Sequence, residues 1–196
     1  MSEFWNERYA SEKYVYGEEP NIFFKQEIDK LNSGKLLLPG EGEGRNAVYA
    51  AKKGWKVLAY DQSKTACEKA LQLAKKNDTT IEYIVTTTEN FVTDIQFNAI
   101  GLIYVHYPSF IRKLYHDRLI RMLDDNGVVI LEAFNKEQIN QQSGGPPDVD
   151  MLYSKKEMES DFKELNIIYL EEKTIEFSEG HAHEGLANVI RMVAKK

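Results

Sequence analysis

The stretch LLLPGEGEGRNAVYAA, Leu36–Ala51, decides the fold. A short apolar run breaks at Pro39, passes the alternating glycines Gly40, Gly42 and Gly44, and resumes with small residues at helical spacing. This reads as a strand feeding a helix through a turn. The glycines permit positive φ and let backbone approach a ligand with no Cβ in between. The helix opening near Arg45 and Asn46 offers that ligand its amide N–H groups and positive dipole end. Two glutamates, Glu41 and Glu43, stand inside the turn.

Outward from this stretch, apolar runs alternate with helical patterns. KLLLP, WKVLAY, IEYIV, FNAIGLIYV and GVVILEAF read as strands, rich in Val, Ile and Tyr and flanked by turn residues. Between them RNAVYAAKKG, SKTACEKALQLAKKN and SFIRKLYHDRLIRMLDD carry apolar residues at helical spacing, with Ser63 and Ser109 as N-caps and Gly54 as a helix stop. Strands apolar almost throughout imply a parallel sheet covered on both faces.

The tail departs from the alternation. After the helix SKKEMESDFKELN come IIYLEEKTIEF and GLANVIRMVAKK, joined too closely for a crossover helix, so they pair antiparallel. The expected fold is therefore α/β: a Rossmann-like, seven-stranded, mostly parallel sheet with an antiparallel C-terminal hairpin and helices on both faces. QINQQSGGPPDVDMLYS is the one long irregular stretch, a binding loop or a surface connection.

At 196 residues with 42% hydrophobic content, the chain suits one domain over residues 1–196. A net charge of -6 without a long basic run argues against a nucleic-acid partner, which clustered Lys and Arg would mark. The single cysteine, Cys67, lies in a helical pattern, excludes an internal disulfide and fits a reducing cytosol. The N-terminus has no apolar run of signal or membrane length, so the expectation is a cytoplasmic protein without a membrane partner. The sequence leaves the oligomeric state open.

In doubly wound sheets, ligands bind beyond the carboxyl ends of the strands at the switch point. The glycine turn ends the first strand there, and Asp61, in VLAYDQS, ends the second where it suits ribose hydroxyls. A dinucleotide fingerprint needs glycine at the position of Arg45, and the spacing here is G-x-G-x-G. Asp61 alone indicates an adenosine-type ribose without choosing the cofactor.

GEGEGRNAVYAAKKGWKVLAYDQSKTACEKA resembles the first two motifs of class I S-adenosylmethionine-dependent methyltransferases, and most of all their tellurite-resistance and thiopurine methyltransferase-like group. WNERYASEKYVYGEEPNIFF, YVHYP, GGPPDVDMLYS and EGHAHEGLANVIRMVAKK are similar to that group's other segments, so the likeness covers almost the whole chain. The resemblance implies S-adenosyl-L-methionine as cofactor. It places Gly40 to Gly44, Glu41 included, around the methionine part, Asp61 on the ribose and Gln62 beside the adenine, and it counts Arg45, Asn46 and Ser63 among the cofactor-binding residues. Thr88, Glu89 and Asn90 fall near the adenine, and Tyr104, Val105 and His106 beside the sulfonium. Residues 1–34 form a helical segment over the pocket, with Trp5, Arg8, Tyr9 and Tyr16 shielding it, and residues 35–196 form the core.

Three acids of the pattern are missing. The first-strand position holds Leu38, the adenine-contacting one Thr88, and the one before the fourth strand Asn98. Glu41 or Glu43 is the expected stand-in for the first of these.

Methyl transfer from a sulfonium needs alignment and dryness more than a base. The expected acceptor is therefore a small, soft S-, Se- or Te-type molecule. His183, Arg191 and His106 are the expected acceptor-site residues. Arg191 shares a strand face with Ala187, Val189 and Val193 and must meet a carboxylate, such as Glu176, or a ligand anion. His181 and His183 lack further clustered ligands, so no metal is expected. The alternative is a non-catalytic S-adenosylmethionine-binding member of the same fold.

Overall fold

The computed structural model describes residues 2–180 and 183–196, without the side chains of Ser178 and His183. Its elements run α1 (Ser2–Arg8), α2 (Ile22–Ile28), β1 (Lys35–Pro39), α3 (Arg45–Lys52), β2 (Lys56–Asp61), α4 (Lys64–Lys76), β3 (Glu82–Val85) and β4 (Phe97–Ile103). They continue with α5 (Ser109–Arg121), β5 (Leu123–Phe134), α6 (Lys155–Asp161), β6 (Asn166–Glu179) and β7 (His183–Lys195). The sheet order is β3-β2-β1-β4-β5-β7-β6. The pairs among β1 to β5 are parallel, and β7 runs antiparallel to both β5 and β6. This is the expected seven-stranded sheet, and its switch point lies between β1 and β4.

Strands buried on both sides need two apolar layers. On one face Leu37, Tyr60, Phe97 and Ile100 pack against Leu119 and Ile120 of α5 and Met158 and Phe162 of α6. On the other, Leu36, Leu38, Ala59 and Ile130 meet Phe24 and Ile28 of α2 and Ala47 and Ala50 of α3. Leu38, standing where the pattern has an acid, is part of this second layer.

Helix punctuation follows the sequence at two of three places. Ser63 Oγ accepts the Ala66 N–H at 3.1 Å, an N-cap. Gly54, at φ 89, closes α3, with its N–H on Ala51 O and that of Trp55 on Ala50 O. Ser109 is a correction. The N-cap of α5 is Pro108, and Ser109 is the first helical residue, its N–H satisfied instead by Asp150 Oδ2 at 3.0 Å.

The strand β4 ends at Ile103, two residues early, because Tyr104 turns to φ 56. The irregular stretch after β5 contains short 3₁₀ turns at Lys136–Asn140 and Val149–Met151. It is packed down: Ser143 Oγ donates to Leu186 O at 2.6 Å, and Leu152 and Tyr153 are buried. Among the described residues, no helix is long and apolar enough to cross a membrane.

Candidate functional site

Gly40, Gly42 and Gly44 have φ of 58, 64 and 89°, so the backbone turns left-handed three times within five residues. A Cβ on Gly44 would lie 2.6 Å from Ala70 Cβ, so the turn sits directly on α4. At Gly42 it would lie 2.8 Å from the Tyr9 hydroxyl, and Tyr83 donates its hydroxyl to the Gly42 carbonyl at 2.6 Å. At Gly40 it would lie 3.2 Å from Val105 Cγ2, across the switch point.

Asp61 closes β2 beside this turn. Its Oδ2 accepts the Gly42 N–H at 3.2 Å and its Oδ1 the Ser63 N–H at 2.9 Å. Burial raises its carboxyl above the usual range, against the pull of those backbone donors.

The two glutamates diverge. Glu41 Oε1 accepts the Ala47 N–H at 2.7 Å and Oε2 the Asn46 Nδ2 at 3.3 Å, so it caps α3 in place of Gly44, which has no side chain. Burial pushes its carboxyl up to about 7. Glu43 meets Val15 and α4 instead: Oε2 accepts the Val15 N–H at 2.8 Å, and Lys69 Nζ lies 2.5 Å from Oε1.

Residues 9–21 form a strap lying over the turn. Lys69 Nζ donates to the carbonyls of Ser11 and Lys13 at 2.8 and 2.9 Å, and Arg45 donates to the Tyr16 carbonyl at 3.2 Å. Ahead of the strap, Trp5 stacks on Tyr9 at 5.6 Å, and Arg8 donates to the Tyr16 hydroxyl at 3.1 Å. Ser63 Oγ donates to Asn6 Oδ1 at 2.7 Å. A Cβ on Gly180, at the hairpin tip, would meet the Val15 carbonyl at 2.4 Å. The strap therefore lies between the glycine turn and the β6–β7 tip.

Past the exit of β3, Thr88 Oγ1 bonds Tyr60 OH at 3.1 Å and Tyr107 OH at 2.8 Å. Gln62 is half-buried, whereas Glu89 and Asn90 are exposed. Asn98 stays in β4, where its Oδ1 accepts the Lys35 N–H at 2.8 Å.

At the exit of β4, Tyr104 OH donates to Glu132 Oε1 at 2.5 Å. His106 Nδ1 lies 2.7 Å from the Met151 carbonyl and so carries the proton, while Nε2 accepts the Phe134 N–H at 3.3 Å. Its ring stacks on Phe134 at 5.6 Å. Arg191 Nε donates to Glu132 Oε2, and its guanidinium lies 4.9 Å from the Phe23 ring centre. The required carboxylate is Glu132, its register partner on β5, rather than Glu176. The expected site residues from the turn, β2, the strap and β4 thus converge, while Arg191 sits behind them toward α2. His181 lies outside the described residues, and of His183 only the backbone, paired with Glu179, is described. Among the described residues, no group of three or more His, Cys, Asp or Glu is placed to hold a metal ion.

Four residues of this region escape the sequence reading: Glu132, Asn21, Glu179 and Lys69. Asn21 Nδ2 donates to Glu132 at 2.6 Å and Glu179 at 3.1 Å, and Arg45 meets Glu179 at 2.8 Å. A lone glutamate within the apolar run VVILEAF was the available signal, the same one that singles out Arg191.

The thiopurine S-methyltransferase family model matches residues 1–193. A probable thiol methyltransferase 2 of Arabidopsis thaliana is 32% identical over 135 residues, 65% of this chain and 57% of its own length. The match thus spans little over half of that relative. In structure, the chain superposes along its whole length on a protein described under conversion of a disulfide bond into a thioacetal group during echinomycin biosynthesis. That chain is 15% identical and 92% covered, with a TM-score of 0.81. It also superposes along its whole length on TehB from Haemophilus influenzae, 12% identical and 66% covered, with a TM-score of 0.74. With the family model covering nearly every residue and the sheet in this order, the chain belongs to the thiopurine S-methyltransferase family of class I S-adenosyl-L-methionine-dependent methyltransferases.

Proposed function

We propose that this protein transfers a methyl group from S-adenosyl-L-methionine to a small, soft acceptor, a thiol or its heavier analogue. The observation that carries the reading is the pairing of Asp61 with the Gly42 amide, 3.2 Å apart beyond the carboxyl ends of adjacent strands. A glycine turn in which Cβ atoms would collide, beside a buried carboxylate, suits the amino-acid and ribose parts of that cofactor. Gly40 to Gly44 would hold the former, Asp61 the latter, with Gln62 and Thr88 toward the base. Glu41, at the mouth of α3, is the first acid after Leu38 in the chain, and we assign it the cofactor's ammonium.

The bound cofactor supplies an activated methyl on a sulfonium, displaced in line by the acceptor's lone pair, with the departing electron pair staying on the donor sulfur. The chain's own part is alignment and exclusion of water. Trp5, Tyr9 and Tyr16 shield the donor side, and Tyr104, Val105 and His106 wall the acceptor side. His106 is held by backbone groups at both ring nitrogens, which suits a wall better than a base. An acceptor that ionises by itself, as a thiol does, fits such a site, and the thiol methyltransferase relative supports this class. Arg191 becomes the counter-charge of Glu132, and His183 remains the hairpin's candidate for touching the acceptor.

Calorimetry with S-adenosylhomocysteine, followed by methyl transfer to small thiols, selenite, tellurite, phenols and amines, tests the proposal. Binding plus transfer to sulfur, selenium or tellurium supports it. Transfer only to oxygen or nitrogen overturns the acceptor class, binding without any transfer favours the non-catalytic alternative, and absence of binding overturns the whole reading.

A further inference from the structure

Glu132 is completely buried on β5 and paired with Arg191, where a well-packed apolar pair would serve the fold about as well. Its carboxylate instead gathers three donors from three distant segments: Arg191 Nε on β7, Tyr104 OH at 2.5 Å, and Asn21 Nδ2 at 2.6 Å. Its backbone takes Tyr104 a second time, the Tyr104 N–H donating to the Glu132 carbonyl at 2.7 Å. Tyr104 is held at φ 56, a left-handed conformation that a bulky residue keeps only where its surroundings over-determine it.

The consequence lies in what the two held residues do next. Tyr104 delivers Val105 against Gly40, across the switch point. Asn21 donates its own N–H to Asn46 Oδ1 at 2.9 Å, and Asn46 in turn donates to Glu41. One carboxylate therefore ties the exit of β4, the strap and the opening of α3 to a single arrangement.

We infer that Glu132 is a positioning residue for methyl transfer: through Tyr104 and Asn21 it sets the β4 exit and the strap against the glycine turn. The inference rests on the reading of those two edges as the acceptor and donor sides. Arg191, behind it, supplies the charge that lets a carboxylate sit there.

The test compares wild type with Glu132→Gln in three readouts: S-adenosylhomocysteine affinity, kinetics on the acceptor that wild type methylates, and amide exchange with S-adenosylhomocysteine bound. The expected result is affinity within threefold of wild type and kcat at least 30-fold lower. Exchange should be at least tenfold faster in peptides covering 104–107 and 15–21 and unchanged in β1 and β2. A kcat within threefold of wild type overturns the inference, and so does a loss of affinity as large as the loss of kcat, which marks collapse of the site. If wild type methylates nothing, the acceptor reading above fails, and amide exchange alone decides the positioning role: faster exchange confined to those peptides supports it, unchanged exchange overturns it. Should Glu132→Gln fail to fold, Tyr104→Phe carries the same comparison. Kcat at least threefold lower, or at least threefold faster exchange over 104–107 where nothing is methylated, supports the inference at unchanged affinity; no change overturns it.

Discussion

Lys69 Nζ lies 2.5 Å from Glu43 Oε1, and both side chains are buried where the strap crosses α4. The same ammonium donates to carbonyls at Ser11 and Lys13, and the same carboxylate accepts the Val15 N–H. Removing one partner of a buried pair leaves the other charge uncompensated, which costs about 3 kcal/mol or more. Lys69→Met should therefore lower stability by about that much in urea unfolding and expose residues 9–21 to limited proteolysis. The double variant Lys69→Met, Glu43→Gln should lose less than the sum of the single variants.

Glu41 provides a pH signature. Its folded-state carboxyl is raised from 4.5 to about 7, because burial outweighs the donors Ala47 and Asn46. Between those values the folded chain binds the proton that the unfolded chain has released, so stability falls as pH rises through this window. The slope from this one group is at most about 1.4 kcal/mol per pH unit. Glu41→Gln should flatten the curve between pH 4.5 and 7 in thermal or urea unfolding. If Glu41 receives the cofactor's ammonium, binding of S-adenosylhomocysteine near pH 6 should release a proton. Calorimetry in buffers of different ionisation enthalpy would read that release, and Glu41→Gln should abolish it.

What the sequence made legible follows from range. The glycine turn, the Asp61 position, the Ser63 cap and the Gly54 stop are all local, set by a few neighbouring residues, and the β6–β7 hairpin follows from a connection too short for a crossover. Ser109 reads as a cap in the sequence, but Pro108 takes that position and the Ser109 amide is satisfied by Asp150, a partner 41 residues away. Which group meets Arg191 stays open in the sequence, as a carboxylate such as Glu176 or a ligand anion, for the same reason. Glu132 and Glu176 are equally acidic in sequence, and only the pairing of β5 with β7 puts the former opposite the arginine. Glu43 lies inside the glycine turn, yet its carboxylate belongs to the strap, a contact that no spacing rule encodes.

Asp61 should be the residue whose loss most weakens the cofactor. In the folded chain its carboxylate already orders the Gly42 and Ser63 amides, so under the proposed function a ribose would meet a prearranged acceptor. A hydrogen bond to a charged group contributes about 1.5 to 3 kcal/mol, which corresponds to roughly 10- to 150-fold in affinity. Asp61→Ala should weaken S-adenosylhomocysteine binding in calorimetry within that range. Asp61→Asn, which keeps one acceptor oxygen, should lose less.

Gly44 separates two costs that are usually confounded. Alanine there must adopt φ 89, a left-handed conformation costing about 1 to 2 kcal/mol for an L-residue, and its Cβ would stand 2.6 Å from Ala70 Cβ. Gly185 on β7 has a similar φ of 97, but nothing lies within 4 Å of its Cβ position. Gly185→Ala should therefore show the conformational cost alone. Gly44→Ala should add an overpacking cost of about 1 to 3 kcal/mol, because α3 and α4 cannot both keep their places. Urea unfolding of the two variants should show Gly44→Ala the less stable by that difference. Equal losses would mean that the turn slides on α4 without strain, and that the tight seat of the glycine turn is not what fixes its shape.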